Sequence, residues 1–202
     1  MPEFDEKGGE NRKSRYIFGM KTFCLVGSLR AQSYNLRLAH TVSTLLLAKG
    51  HTMDLGNPKE TPLPLMDQDL EIDGVSPKEA LAMAERVRAA DAVIVCTPEY
   101  NGSSSPITKN TIDWVSRAKP HPWAKKPVLL LGASPGRLGA IRGLAHARVP
   151  FDALGCHVYP ENLGVPSADS AFDADGLVDA KTLARLGSLL DAFLGFAAKV
   201  SG

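Results

Sequence analysis

Ala92-Val93-Ile94-Val95 runs without a polar side chain and empties into Cys96-Thr97-Pro98-Glu99-Tyr100-Asn101-Gly102. A strand that is apolar at every position has no face for water. It belongs in a parallel sheet covered by helices on both sides, where the usual in–out alternation is lost. Val128-Leu129-Leu130-Leu131 repeats the pattern and empties into Gly132-Ala133-Ser134-Pro135-Gly136. Parallel strands cannot be joined by a tight hairpin, so the chain must supply helices between them.

It does so. Residues 22–26 read as a first strand, followed by a loop over 27–34 and a helix over about 35–49, with Leu36, Ala39, Val42 and Leu46 on one face and Gly50 as its stop. A short second strand covers 51–55, and a loop rich in Pro and Asp covers 58–74. Loops of that length commonly act as lids or partner surfaces. Ser76-Pro77-Lys78-Glu79 has the residues of a capping box and opens a helix carrying Leu81, Ala84 and Val87 inward. After the strand at 92–96 comes a helix through Trp114 and Val115. After the strand at 127–131 comes a helix with Ile141 and Leu144 inward, which Pro150 is expected to end or kink. A fifth strand at 156–159, a long loop at 161–176 and a helix over about 180–200, with Leu183, Leu186, Leu190, Phe193 and Ala197 inward, complete the chain. Strand and helix alternate five times. The expected fold is an α/β doubly wound, five-stranded parallel sheet in a three-layer sandwich, with strands in the flavodoxin-like order.

The 202 residues suit one domain, over 20–202. Residues 1–19 are polar, Gly-containing and aperiodic, and are expected to be a disordered leader; their basic cluster Arg12-Lys13-Ser14-Arg15 is not followed by the apolar stretch of a secretory signal. Lys plus Arg number 23 against 22 Asp plus Glu, so the basic stripe of a nucleic-acid binder is not expected. No apolar run is long enough to span a bilayer. Three distant cysteines do not make a disulfide framework, which suits a cytoplasmic protein, and the five histidines lack metal-ligand spacing.

Open α/β sheets place ligands at the carboxyl ends of their strands, so the loops there hold the candidate site. The first loop carries Ser28, Arg30, Ser33 and Asn35. Three are neutral hydrogen-bonding groups and one is a permanent cation. The amides of the following helix and its dipole favour an anion there, and arginine adds a forked contact. That combination suits a terminal phosphomonoester. The competing account is a serine or asparagine cap with a solvated arginine, which explains one of the four groups. Neither the Gly-x-x-x-x-Gly-Lys-Ser/Thr loop nor the Gly-x-Gly-x-x-Gly fingerprint occurs. In the second loop, Pro98-Glu99-Tyr100-Asn101 joins a rigid turn, an aromatic ring and polar groups that could meet a flat heterocycle; an ordinary capped turn accounts for it equally well. The third loop, Gly132-Ala133-Ser134-Pro135-Gly136, matches the Gly-x-Ser-x-Gly nucleophile elbow of serine esterases. The elbow needs the backbone N–H of the residue after serine, and Pro135 has none. His157, after Asp152, would be its only histidine partner that follows an acid.

Taken together, Gly27-Ser28-Leu29-Arg30-x-x-Ser33-x-Asn35, Pro98-Glu99-Tyr100-Asn101 and Lys109-Asn110-x-Ile112-Asp113-Trp114-x-Ser116-Arg117 resemble the NADPH-dependent FMN reductase family of flavodoxin-like proteins. The resemblance covers most of residues 20–200. It implies bound FMN, NADPH as electron donor and a small-molecule acceptor such as a quinone, a free flavin, an azo dye or chromate, in a homodimer or homotetramer. It implies that Ser28, Arg30, Ser33, Asn35 and Leu36 hold the FMN phosphate. Pro98, Glu99, Tyr100 and Asn101 would line the ring and ribityl chain, and Ser134 and Gly136 approach the ring. The flavin would carry the chemistry, so no acid, base or nucleophile is required of the protein. Where many relatives have Pro-Gly shortly before Lys-Asn, this chain reads Ser103-Ser104-Ser105-Pro106-Ile107-Thr108, which bears on the pocket wall and hence on the substrate. A flavodoxin-type electron carrier is the alternative; such carriers are often strongly acidic, whereas this chain has a net charge of +1.

Overall fold

The computed structural model describes residues 19–173 and 176–201. The expected leader lies outside the described residues apart from Gly19. In chain order the elements are β1 (Lys21–Val26), α1 (Tyr34–Ala48), β2 (Thr52–Gly56), α2 (Lys78–Ala89), β3 (Ala92–Cys96), the two-residue strands β4 (Glu99–Tyr100) and β5 (Ser103–Ser104), α3 (Pro106–Arg117), β6 (Pro127–Ala133), α4 (Ile141–Ala153), β7 (His157–Val165), α5 (Ala168–Ala171) and α6 (Ala180–Val200). The main sheet is parallel throughout, in the order β2-β1-β3-β6-β7. This is the doubly wound order expected.

Alternate residues of the central strands feed two separate cores. Cys24, Val26, Ile94, Cys96, Leu129 and Leu131 face α1 and α6. Phe23, Leu25, Val93, Val95, Val128 and Leu130 face α2, α3 and α4. Every residue of β3 and β6 is buried, because helices cover both faces. The chain leaves β1 for a helix on one face and reaches β3 from a helix on the other. The β1 and β3 ends are therefore the switch point, where a crevice opens.

Four local expectations differ from the structure. The Ser76 hydroxyl does not cap α2; it donates to Glu71 Oε1 at 3.0 Å, and Pro77 stands at the N-cap without a side-chain bond. Glu71, held by Arg117, competes successfully for that hydroxyl. Of the two outcomes expected at Pro150, the first does not occur: α4 does not end there but runs on to Ala153. A proline so near the end forfeits one helical bond, while fully buried Phe151 anchors the last turn. Ile141 is exposed, at the rim of an inward stripe made by Gly143, Leu144, Ala147 and Phe151. The fifth strand does not stop at 159. Its pairing with β6 is interrupted over residues 159–161, around Pro160, then resumes from Leu130↔Asn162 to Ala133↔Val165. Proline cannot donate to the ladder, so the interruption falls there and the strand re-registers beyond it.

Candidate active site

The site is built where the β1, β3 and β6 loops meet. Gly27 N donates to Cys96 O at 2.9 Å, and Thr97 N donates to Leu131 O at 3.0 Å, so pairing continues past the strand ends. Three buried hydroxyls tie the junction. Ser105 Oγ donates to Gly27 O at 2.5 Å and lies 3.1 Å from Thr108 Oγ1, which is 2.7 Å from Thr97 Oγ1. A side chain at Gly27 would overlap Thr108 Oγ1 and come within 2.8 Å of Thr97 Oγ1. Ser105, from the stretch that departs from the Pro-Gly pattern, also caps α3 through the Thr108 N–H.

In the first loop, Ser33 is the N-cap of α1 and accepts from Leu36 N at 3.2 Å. The N–H groups of Tyr34 and Asn35, at the first two helical positions, have no intrahelical acceptor. The Leu36 N–H is taken by the cap, and its side chain packs against the α1–α6 core. Ser28 is buried and its hydroxyl accepts from Arg30 N at 3.3 Å. Arg30 is exposed, with its guanidinium over the Tyr34 ring at 5.7 Å; Arg37 lies over the same ring at 5.8 Å. The Asn35 side chain is turned inward, away from that surface. It donates to Ala133 O at 3.0 Å and accepts from Ala133 N at 2.9 Å, clamping the start of α1 to the end of β6. What Asn35 offers a phosphate is its backbone N–H.

The second loop is a hairpin. Asn101 and Gly102 both have positive φ, 51° and 79°, and join β4 to β5. A two-residue Asn-Gly connection is a strong short-range hairpin signal, and the sequence carries it at Asn101-Gly102 beside the expected turn. Pro98 is buried, and Tyr100 and Asn101 are exposed. The Glu99 carboxylate points away from the hairpin into the start of α4. It accepts from Arg142 Nε at 2.6 Å, Arg142 N at 3.0 Å and Gly143 N at 3.2 Å, with Arg142 Nη2 closing the pair. Burial raises the Glu99 carboxyl, but Arg142 and the two amides outweigh it and hold the group below the usual carboxylate range. The α4 N-cap itself, Ala140 at φ 70°, offers no side-chain acceptor, so a carboxylate from another element satisfies the helix start. A Cβ at Gly143 would stand 3.0 Å from Glu99 Cα, so only glycine admits the hairpin this closely.

In the third loop, Ser134 N donates to Val165 O at 3.1 Å and Ala168 N donates to Ser134 O at 3.1 Å. Gly136 O accepts from Gly139 N and Ser167 N at 3.2 and 3.4 Å. The resumed half of β7 thus fixes the wall that carries Ser134 and Gly136. Between this wall and the hairpin lies an open cleft of about 650 Å³, lined by Glu99, Asn101, Gly102, Ser134, Pro135, Gly136, Arg137, Leu138 and Arg142. His157 pairs with Pro127 at the opposite end of the sheet from Ser134. Seven residues of parallel strand put roughly 20 Å between them, which leaves an esterase triad without its histidine.

The third motif of the resemblance has a structural role. Asn110 Nδ2 and Trp114 Nε1 both donate to Pro64 O at 2.8 Å, and Asn110 Oδ1 accepts from Met66 N at 2.7 Å. Arg117 pairs with Glu71 at 2.5 Å. These side chains strap the Pro- and Asp-rich loop onto α3.

Among the described residues there is no cluster of metal-ligating side chains, and no helix is long and apolar enough to cross a membrane. All three cysteines are free thiols.

The profile of the NADPH-dependent FMN reductase family matches residues 20–170. The chain is 38% identical over 165 residues to the NAD(P)H-dependent FMN reductase of Pseudomonas aeruginosa, covering 80% of this chain and 86% of that one. It is 35% identical to the quinone reductase of Escherichia coli K12, covering 90% and 97%. Among solved structures, the flavoenzyme NAD(P)H:(acceptor) oxidoreductase FerB of Paracoccus denitrificans superposes with a TM-score of 0.78 at 31% identity, over 89% of this chain and 98% of that one. Flavodoxin 1 of Bacillus cereus, 10% identical, superposes with a TM-score of 0.55 over 86% of this chain and 97% of that one, and shares the fold. The Asn-Gly hairpin and the wall carrying Ser134 and Gly136 thus border one cleft of a flavodoxin-like sheet, and the chain belongs to the NADPH-dependent FMN reductase family of oxidoreductases.

Proposed function

We propose that this protein takes two electrons from NADPH through bound FMN and passes them to a small acceptor: a quinone, a free flavin, an azo compound or a metal oxyanion. The observation that carries this is the start of α1 at the switch point, with two amides lacking intrahelical acceptors beside Ser28 and Arg30, clamped through Asn35 to Ala133, the chain neighbour of Ser134 in the cleft wall. The residues fit the cofactor: an anion site on one side, and on the other a concave surface edged by Asn101, Gly102, Ser134 and Gly136. When bound, FMN accepts a hydride and releases electrons in pairs. The protein's part is to bind and orient. Ser28, Arg30 and the first amides of α1 hold the phosphate, with Ser33 fixing the helix start. Pro98 to Asn101 and Ser134 to Gly136 flank the ring. Glu99 acts one step removed, by fixing the hairpin against α4.

The likeness to quinone reductases favours a quinone among the acceptors. Leu65 and Ile72, 80% and 74% exposed on the strapped loop, support a homodimer or homotetramer in which a second copy covers them. Free thiols suit a cytoplasmic setting.

The test is the visible spectrum of the purified protein before and after NADPH under anaerobic conditions. Yellow bands that bleach are the expected result. Bands that persist point to an electron carrier or another donor. A protein that stays colourless after incubation with FMN refutes the reading. Arg30→Ala should lower FMN retention without unfolding the chain; a fully yellow variant would remove the phosphate assignment.

A further inference from the structure

The cleft lining carries an excess of positive charge. Its lining holds two arginines and one carboxylate, the rest being neutral. The carboxylate, Glu99, is only 8% exposed and lies beneath Arg142, whose side chain is 61% exposed. Arg142 spends Nε and Nη2 on Glu99, leaving its Nη1 edge uncommitted. Arg137, on the exposed 134–138 turn, has no ion-pair partner among the described residues. The start of α4 is not the anion site, because its Arg142 and Gly143 amides are already filled by Glu99. What faces the cleft is one whole guanidinium and the outer edge of a second. A concave surface with an excess of one sign concentrates ligands of the other, and a guanidinium fork matches phosphate.

We propose that Arg137, with the outer edge of Arg142, binds the phosphates of the nicotinamide donor at the rim of the cleft. This rests on the flavin-reductase reading above, in which the donor enters this cleft. The donor is favoured over the acceptor because its pyrophosphate, and in NADPH its 2′-phosphate, are permanent anions, whereas a simple quinone, the acceptor favoured above, is neutral; an anionic acceptor is separated by the test below.

The experiment compares wild type, Arg137→Gln and Arg137→Glu as FMN-loaded enzymes, with a neutral quinone as acceptor and NADPH or NADH as donor. FMN content is read separately from the visible bands. In parallel, adenosine 2′,5′-bisphosphate is titrated calorimetrically into each protein. Loss of one exposed guanidinium–phosphate contact should raise the donor KM about fivefold in Arg137→Gln. Arg137→Glu should raise it further, and the difference should shrink at high salt as screening sets in. A rise for NADPH alone identifies the 2′-phosphate as the group held; an equal rise for both donors identifies the pyrophosphate. Unchanged donor KM and unchanged calorimetric affinity overturn the proposal, as does an effect confined to an anionic acceptor. A wild-type protein that binds no FMN fails the underlying reading instead. Arginine-dependent titration of the bisphosphate in that case keeps the phosphate subsite, and its absence removes it.

Discussion

Replacing Glu99 with Gln tests the junction between the hairpin and α4. The carboxylate accepts two backbone N–H bonds at the start of α4 and binds Arg142 through Nε and Nη2, at 8% exposure. Glutamine keeps one acceptor oxygen and aims an NH₂ at groups that are themselves donors. Bonds to a charged acceptor contribute roughly 1.5–3 kcal/mol each against about 1 for neutral ones, and the helix dipole adds up to about 1. The arginine is largely in water, so its share is discounted. The net loss is about 2 kcal/mol, which for a domain of this size lowers Tm by roughly 4–8 °C. Thermal unfolding followed by circular dichroism at pH 7 measures it. The acid side gives a second reading. The Glu99 carboxyl sits below its usual value near 4.5 in the folded protein. Its stabilisation is therefore complete above that value and is lost as pH falls through the folded value. The Tm gap between wild type and Glu99→Gln should narrow below about pH 4.5. A Tm shift under about 1 °C at pH 7, or a gap that does not change in acid, would refute the capping argument.

Three further outcomes follow from the same contacts. Asn35→Ala strips both backbone groups of Ala133 of their buried partner and should cost about 2 kcal/mol or more, read by urea unfolding. Gly27→Ala forces a methyl onto Thr108 Oγ1 and should destabilise by about 1–3 kcal/mol; adding Thr108→Ala makes room, so the double variant should be more stable than the sum of the singles. His51 is buried with its Nδ1 unpartnered, and burial lowers its pKa below 6.5, with Lys49 acting the same way and Asp191 opposing. The unfolded chain takes up that proton first, so stability should decline as pH drops from about 6.5 toward the folded value, and His51→Gln should flatten that decline in thermal scans.

The five strands, the helices between them and the doubly wound sandwich were legible because burial on both faces writes continuous apolar runs, and one-sided helices write a 3.6-residue stripe. Both signals are local. The capped start of α1 was legible for the same reason, since Ser33 caps a helix that begins on the next residue. The Asn101-Gly102 hairpin is written in the sequence by the same kind of local signal. Only the tertiary structure decided what the remaining polar groups do. Asn35 and Ala133 are 98 positions apart, Glu99 and Arg142 are 43 apart, and Asn110 meets Pro64 across 46. No periodicity links such positions, so a polar residue in a loop reads the same whether it faces a ligand or a backbone amide. Parallel strands bring their carboxyl-end loops together from distant points in the chain. Which side chains are then spent on holding those loops, as Asn35 and Glu99 are, and which stay exposed, as Arg30 and Arg137 do, is settled by packing in three dimensions.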